Sequence, residues 1–327
     1  MSSARARSNR SNMLKNKELG LVEKIRAQAS SSTTPRPRLG IGDDAAILPA
    51  PPGSREWIIT TDMLVERSHF RLDRHPPAAL GHKVLARGLS DIAAMGGDPH
   101  YALLSLCLPP GISEKWHKQF FGGLFRLARR FQVALVGGDL AAGDRLVADI
   151  VVLGSALRGQ TLERARAKPG DILYVSGTLG GSALGFEGLR IRRPNYTGRA
   201  VRRHLYPEPR LALGRHAARS LGARAGIDLS DGLSIDLYRL TSESGVGAEV
   251  WREHIPVFPG ATLEQALHGG EDYELLFTLT PRRKPPPSFH GIPVTAIGVI
   301  TAARGLALVD SQGRRRALPI LGFQHDL

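Results

Sequence analysis

The chain has 327 residues, of which 42% are hydrophobic and 23% are charged, and its single cysteine is Cys107. This composition excludes disordered, collagen-like and disulfide-scaffold proteins, and a lone cysteine excludes internal disulfides and zinc sites built from cysteines. The net charge of +14 is compatible with nucleic acid, a membrane surface or an anionic small molecule as partner. Because aromatic residues are only 6% of the chain and no zinc-finger spacing occurs, a nucleic-acid partner is disfavoured.

The amino-terminal segment, residues 1–17, is basic and precedes a predicted amphipathic helix over 18–28. It lacks the apolar run of a secretory signal, so we expect a disordered tail. No stretch of the chain approaches the roughly 18 apolar residues of a membrane span. We therefore expect a cytoplasmic protein with no membrane partner.

Strands and helices are then predicted to alternate along the chain. The first half is predicted to contain strands near 39–48, 57–62, 101–108, 133–136 and 146–153, a helix over 77–95, and a helix that begins after the N-cap Ser113. The second half, from about 156, is predicted to contain strands over 171–176, 274–279 and 294–299 and helices over 182–190, 208–221 and 233–243. This alternation indicates α/β or α+β layers in two domains, over 18–155 and 156–327.

Acidic residues recur beside glycine, serine or threonine at the ends of apolar runs. Six such clusters occupy residues 40–46, 58–62, 89–92, 135–139, 226–232 and 268–273. Each has an ordinary alternative: Asp91 could cap a helical turn, Asp62 could lie in a plain turn, and Asp228 and Asp231 could cap the helix starting near Gly232. Taken together, the clusters favour one shared role, the binding of several Mg²⁺ ions through carboxylate oxygens.

Several bound ions would suit a reaction between two phosphorylated molecules, since the metals neutralise their repulsion. The chain has no P-loop, no protein-kinase catalytic loop and no nucleophile elbow. Residues 177–181 follow a strand and precede a helix, so their amides could meet an anion, but a tight turn is the simpler interpretation. A phosphotransferase of this kind would use carboxylate–metal clamps rather than a lysine cradle.

Seven motifs, in order along the chain, resemble those of the thiamine-monophosphate kinase family. They occupy residues 40–46, 61–70, 89–97, 137–139, 168–171, 227–233 and 269–275. Single motifs are shared with a wider superfamily that includes aminoimidazole ribonucleotide synthetase and selenophosphate synthetase, whereas the full set is specific to the kinase. Another ATP-using enzyme of that superfamily is therefore the alternative, and a basic nucleic-acid-binding protein is the alternative from a different class.

The resemblance implies ATP-dependent phosphorylation of thiamine monophosphate by a homodimer of two-domain α/β subunits, whose amino-terminal strands form an intersubunit barrel. It also implies Mg²⁺ and often K⁺ as cofactors. The family's metal-binding positions correspond to Asp44, Thr60, Thr61, Asp62, Asp91, Asp139, Asp228 and Asp231. Its nucleotide contacts correspond to Gly138, Asp139, Arg164 and Ser230, and its thiamine contacts to His69, Glu271 and Phe323. Since no residue stands out as a covalent nucleophile, we expect direct in-line transfer of the phosphoryl group.

Three positions depart from the family pattern. Arg67 stands where the family usually has glycine, Leu140 where it usually has threonine, and Gln324 where it often has aspartate. Arg67 lies two residues before His69, so it bears on the substrate contacts. Leu140 removes a hydroxyl group beside Asp139, one of the implied metal ligands.

The residues that the resemblance implies on the thiamine side differ in how far the sequence alone supports them. His69 and Phe323, taken without the family, would be ordinary surface or core side chains. Glu271 has more support, because Gly269 and Gly270 expose it just before a predicted strand. The substrate contacts therefore depend on the resemblance more than the metal ligands do.

Overall fold

The computed structural model describes residues 53–191 and 195–323, together with Lys24 and Gln28. The predicted strand near 39–48, Asp44 within it, and the departure at Gln324 lie outside the described residues. Of the helix predicted over 18–28, the two described residues, Lys24 and Gln28, are helical.

The described part of the chain contains helices and strands in alternation. Helices α1 to α7 span Pro77–Ala94, Glu114–Phe131, Gly181–Arg190, Arg199–Leu205, Leu211–His216, Leu233–Ser244 and Leu263–His268. Strands β1 to β12 span Arg55–Val65, Asp98–Leu108, Ala134–Ala142, Val147–Leu157, Ile172–Ser176, Gly226–Asp228, Gly247–Trp251, Leu275–Leu279, Ser288–Phe289, Ile292–Thr301, Gly305–Val309 and Arg315–Ala317. Short 3₁₀ turns lie at Arg164–Arg166 and Arg252–His254, and a π-helical turn, Ala217–Leu221, follows α5.

The strands form two sheets. The first has the order β1-β4-β2-β3, and β2 and β3 run parallel. The second has the order β12-β11-β7-β10-β5-β8-β6, with β9 paired to β10. In it β7 and β11 are parallel, whereas β10 and β8 pair with β5 antiparallel. The mixed α/β class predicted from the sequence is therefore confirmed.

Most predicted elements correspond to observed ones. Helix α2 begins where expected, because the Ser113 Oγ accepts a hydrogen bond of 3.2 Å from the backbone N of Trp116. The helix predicted over 208–221 is α5 followed by the π-helical turn. The elements that the sequence does not predict are α4, α7 and the strands β6, β7, β9, β11 and β12. All of these have at most seven residues, too few to show a clear periodicity.

The described residues group into two compact units. The first unit consists of Thr61–Leu85 and His100–Val152, and its core includes side chains of α2 such as Phe120 and Phe125. The second unit consists of 53–60, Ala86–Pro99 and 153–323, with a core that includes apolar residues of β5 and β8. The domain boundary at residue 155 stays a prediction. No helix in the described part of the chain is long and apolar enough to cross a membrane.

Candidate functional site

Two of the predicted metal ligands are connected through the end of helix α1. Asp91 lies in the last turn of α1, so the alternative that it caps the start of a helix is wrong. Its Oδ2 accepts a hydrogen bond of 2.5 Å from the Oγ1 of Thr60. The preceding residue, Ser90, donates from its Oγ to the Oδ2 of Asp228, at 2.7 Å. Consecutive residues of one helix therefore contact Thr60 of β1 and Asp228 at the end of β6.

The donors at this place have the chemistry that Mg²⁺ requires. Ser90 and Asp228 are buried, with 0% and 4% of their surface exposed, and all of the contacting atoms are hard oxygens. Mg²⁺ is usually held by one or two carboxylates and completed by waters and substrate phosphates. Among the residues that the structure describes, no three histidine, cysteine or acidic side chains converge as a metal-binding group. The carboxylate oxygens of Asp91 and Asp228 fit Mg²⁺ by their chemistry, with water and phosphate oxygens left to complete its coordination.

Asp231 lies in the loop that leads into helix α6. The Oδ2 of Asp236 accepts hydrogen bonds from the backbone N of Asp231 and of Gly232, at 3.0 and 3.1 Å. The N-cap residue of α6 is Gly232 and no side chain caps this helix, so the alternative that Asp228 or Asp231 caps it is wrong. The carboxylate of Asp231 instead contacts the Nη1 of Arg239 at 2.5 Å, and this ion pair fixes its orientation.

The same loop is joined by two residues predicted to contact the substrate. The backbone N of Glu271 donates to the carbonyl of Ser230 at 2.7 Å, and that of Phe323 donates to the carbonyl of Asp231 at 3.1 Å. Glu271 has a φ of +64°, a left-handed conformation that is unfavourable for a residue with a side chain. Such strain is common at binding sites, where the surrounding structure maintains it.

The side chain of Glu271 is oriented by a residue that the sequence does not single out. Its Oε2 lies 3.3 Å from the Nδ1 of His204, a residue of α4 with 1% of its surface exposed. The same Nδ1 is 3.0 Å from the Oγ of the buried Ser182. Arg164, a predicted nucleotide contact, is exposed in its 3₁₀ turn. Its backbone carbonyl accepts a hydrogen bond from the Oγ of Ser244.

In the first unit, the predicted metal ligands lie on strands β1 and β3. The exposed Thr61 donates from its Oγ1 to the Oδ1 of Asp149 at 2.8 Å, and Asp62 beside it is half-buried. Asp149 is a carboxylate of β4 that the sequence does not indicate, because it lies inside a strand-like run without neighbouring glycine. Asp139 is exposed on β3 and lies opposite Ser105 in the parallel register with β2.

Gly138, a predicted nucleotide contact, is required by the packing of the sheet. Its φ is +151°, and a Cβ atom at this position would lie 1.9 Å from the carbonyl oxygen of Leu104 on β2. Any side chain would therefore displace the neighbouring strand. Because glycine has no side chain, it also leaves the backbone next to Asp139 accessible.

His69 stabilises the turn that follows β1. Its Nδ1 accepts a hydrogen bond of 3.0 Å from the backbone N of Val65, and its own backbone N donates to the carbonyl of Val65 at 2.9 Å. The same turn contains Arg67, whose backbone has a φ of +71°. The glycine that the family usually has at this position would adopt that conformation without strain.

We expect the substitution Arg67→Gly to stabilise the protein by about 0.5–1 kcal/mol. A left-handed residue with a Cβ costs about 1–2 kcal/mol, which exceeds the extra chain entropy that glycine brings to the unfolded state. The measurement is the free energy of unfolding in urea. Arg67→Ala is the control, since it removes the guanidinium but keeps the Cβ, and an equal gain in both variants would contradict the backbone explanation.

A buried ion cluster surrounds Glu274, three residues after Glu271 in the chain. Glu274 has none of its surface exposed and forms ion pairs with Arg203 and with Arg210, whose Nε and Nη2 lie 2.6 and 2.5 Å from the two carboxylate oxygens. The Oγ of Ser176 donates to its Oε2 at 2.5 Å. Burial tends to raise the pKa of Glu274, but the two arginines hold it below its usual range. The signal in the sequence that could have indicated this cluster is a glutamate placed directly before the apolar run 275–277.

Of the amides of residues 177–181, that of Gly180 binds an anion that belongs to the chain itself. The carboxylate of Asp272 accepts hydrogen bonds from the backbone N of Gly180 and of Ser182, at 2.5 and 2.9 Å, where helix α3 begins. Asp272 has 4% of its surface exposed, and this burial raises its pKa from the ordinary value of 3.8 to about 6. The glycine-containing turn is thus filled by an internal carboxylate.

The raised pKa of Asp272 predicts how its contribution to stability changes with pH. Between about pH 4 and 6 the unfolded chain loses this proton while the folded protein keeps it, so rising pH destabilises the folded state by up to about 3 kcal/mol. We expect the free energy of unfolding of the native protein, minus that of Asp272→Asn, to fall over this range and to become constant above about pH 7. Urea denaturation at a series of pH values measures the difference, and a difference that grows with pH would contradict the raised pKa.

The comparisons with known proteins agree with this arrangement of motifs. Residues 42–156 match the family described as AIR synthase related protein, N-terminal domain. The chain is 38% identical over 304 residues to the thiamine-monophosphate kinase of Escherichia coli strain K12, covering 88% of this chain and 91% of that relative. The similarity therefore extends well beyond the matched amino-terminal domain.

Solved structures show the same relationship. The thiamine-monophosphate kinase from Stenotrophomonas maltophilia K279a superposes with a TM-score of 0.78 at 34% identity, covering 90% of this chain and 96% of that chain. The structure of AaThiL complexed with AMPPCP and TMP has a TM-score of 0.76 at 31% identity, covering 94% of this chain and 96% of that chain. Fold and sequence are thus similar over nearly the same residues.

Proposed function

This chain belongs to the thiamine-monophosphate kinase family, and we propose that it transfers the γ-phosphoryl group of ATP to thiamine monophosphate, giving thiamine diphosphate and ADP. The observation that carries this proposal is the 38% identity over 91% of a relative named for that substrate. AaThiL, solved with AMPPCP and TMP, supports ATP and thiamine monophosphate as the two substrates.

Mg²⁺ is the proposed cofactor, with K⁺ as a second cation. The residues proposed to hold the metal are Asp44, Thr60, Thr61, Asp62, Asp91, Asp139, Asp228 and Asp231. When bound, Mg²⁺ neutralises phosphate charge that would otherwise repel the two substrates. The hydrogen bonds from Thr60 to Asp91 and from Ser90 to Asp228 support this role, because they orient carboxylate oxygens before any ligand arrives.

The remaining predicted residues have proposed roles in binding the two substrates. Gly138, Asp139, Arg164 and Ser230 are the proposed contacts of the nucleotide, and His69, Glu271 and Phe323 those of thiamine monophosphate. Support comes from the backbone hydrogen bonds that join Glu271 to Ser230 and Phe323 to Asp231. A carboxylate such as that of Glu271 suits the cationic thiazolium ring of thiamine, and an aromatic ring such as that of Phe323 can pack against a flat heterocycle.

The proposed transfer is direct. A phosphate oxygen of thiamine monophosphate attacks the γ-phosphorus of ATP in line, the bond from that phosphorus to the bridging oxygen breaks, and ADP leaves with the electron pair. Incubation with γ-labelled ATP alone should therefore leave no label on the protein. A labelled protein that passes its phosphoryl group to thiamine monophosphate would overturn the direct mechanism.

The proposed enzyme is a cytoplasmic homodimer that associates through the first sheet. Among the described strands, β1 lies at the edge of that sheet, and Ile59 and Met63, which share one of its faces, have 66% and 50% of their surface exposed. Exposed apolar side chains on an open edge favour association with another chain. Sedimentation at micromolar concentration tests this, and an active monomer would contradict it.

The test of the reaction is a direct assay of the purified full chain with ATP, Mg²⁺ and thiamine monophosphate. Thiamine diphosphate and ADP should form in equal amounts and only when all three components are present. Thiamine, which lacks the acceptor phosphate, is the matched control. Absence of thiamine diphosphate, with ATP consumed instead in the presence of selenide or the formamidine substrate of a cyclising synthetase, would favour the superfamily alternative.

A further inference from the structure

The segment of residues 319–323 is attached to the rest of the second unit by hydrogen bonds. Leu318 is the last buried apolar residue before it, with 4% of its surface exposed. Within the segment Ile320, Leu321 and Phe323 have 42%, 53% and 41% of their surface exposed. These apolar side chains are therefore only about half buried, and hydrogen bonds add to what holds the segment.

Ser234, near the start of α6, makes the most concentrated set of these bonds. It is fully buried, and its Oγ donates to the carbonyl of Leu321 at 2.5 Å while accepting from the backbone N of Leu321 at 3.2 Å. Because the only proton of the hydroxyl group is used for Leu321, the 2.7 Å contact with the Nδ1 of His268 requires His268 to donate. Through these hydrogen bonds, Ser234 connects the segment to α6 and to the end of α7.

A second attachment point lies two residues further along the segment. The backbone N of Phe323 donates to the carbonyl of Asp231, and Gly322 has a φ of +152°. A Cβ atom at Gly322 would lie 2.6 Å from the same carbonyl oxygen, so only glycine allows this approach. Ser234 and Asp231 thus fix the segment at two places on either side of the α6 start.

The two attachments bring together residues with proposed binding roles. His268 directly precedes Gly269, in the loop that contains Glu271, and Glu271 is bonded to Ser230. The hydroxyl group of Ser234 therefore contacts both the segment with Phe323 and the helix end that leads to Glu271. A single side chain ties the two proposed thiamine contacts of this unit to the Asp231 loop.

We propose that Ser234 is a positioning residue, which holds the segment of residues 319–323 in place and thereby presents Phe323 to thiamine monophosphate. This inference rests on the proposed function, because it assigns Phe323 to the thiamine side. The hydroxyl group is fully buried, so its proposed role is to act through the segment rather than to contact a substrate. Its loss should weaken binding of thiamine monophosphate while leaving ATP binding and the chemical step intact.

The test compares Ser234→Ala with Ser242→Ala, the same substitution at an exposed position of the same helix. Loss of the hydroxyl group removes two hydrogen bonds to the segment, so we expect KM for thiamine monophosphate to rise about 5- to 10-fold in Ser234→Ala. The kcat and the KM for ATP should stay within about twofold of the native values. Phe323→Ala should raise the same KM, and the double variant should show no further increase, since both changes remove one interaction.

Amide hydrogen exchange provides a second readout that does not depend on turnover. The amides of Leu321 and Phe323 should exchange faster in Ser234→Ala than in the native protein and Ser242→Ala. Unchanged exchange, or faster exchange with an unchanged KM for thiamine monophosphate, would overturn the proposal. A native protein that forms no thiamine diphosphate would overturn the proposed function, and the exchange rates would then still decide whether Ser234 holds the segment.

Discussion

Glu274→Ala is expected to destabilise the protein by about 3–5 kcal/mol. The reason is that the buried Arg210 and the partly buried Arg203 would retain their charges without the carboxylate that now neutralises them. Arg210 has only 8% of its surface exposed, so water cannot replace the lost partner without opening the structure. Urea denaturation measures the loss as a lower free energy of unfolding.

The matched control is Glu187→Ala, which removes an exposed glutamate from helix α3. It should change the free energy of unfolding by no more than about 0.5 kcal/mol. Glu274→Gln separates charge from shape, because it keeps an acceptor for Ser176 but removes the negative charge. A loss below about 1 kcal/mol in Glu274→Ala would show that the arginines find other partners.

Asp91→Asn is expected to lower the rate of thiamine diphosphate formation by on the order of 10²-fold or more, about 3 kcal/mol of barrier. In the proposed function Asp91 holds Mg²⁺ through a charged oxygen, and the substitution removes that charge. Folding should be little affected, because the side-chain oxygen of asparagine can still accept the hydrogen bond from Thr60. The turnover at saturating Mg²⁺ and the melting temperature without ligands are the two measurements.

Asp144→Asn, at an exposed position of the first unit, provides the control for a general loss of negative charge. It should change neither quantity. The increase in melting temperature on adding Mg²⁺ and ATP should also be smaller in Asp91→Asn than in the native protein, which tests metal binding without turnover. A variant that is destabilised but fully active would remove Asp91 from the metal site.

The sequence predicts elements well where the pattern is local and long. Helix α2 has 18 residues, a serine cap and a continuous apolar stripe, so its start is predicted correctly. Strand β6 has only three residues, and its pairing with β8 depends on residues about fifty positions away. Short elements of this kind are stabilised by tertiary pairing, which a local pattern does not contain.

The residues of the candidate site can be predicted where an acid stands beside glycine, serine or threonine at the end of an apolar run. Asp91 and Asp228 stand out in this way, but the serine hydroxyl that connects them comes from a residue 138 positions away from Asp228. Asp272 and Glu274 belong to a recognised motif, yet their partners lie 92 and 64 positions away. Whether an acid binds a metal, a helix end or an arginine is decided by such distant neighbours.

Because of the contacts of Ser90 and Asp91, the last turn of α1 holds two carboxylates that are far apart in the sequence, those of Asp91 and Asp228. Because neighbouring residues of a helix cannot move independently, any tilt or unwinding of the last turn of α1 displaces the oxygens next to Thr60 and next to Asp228 together. Opening of that turn by thermal fluctuation would break the Thr60–Asp91 and Ser90–Asp228 hydrogen bonds together. The time for which the last turn of α1 stays folded, rather than the lifetime of either hydrogen bond, then determines how long the two carboxylates keep their relative positions.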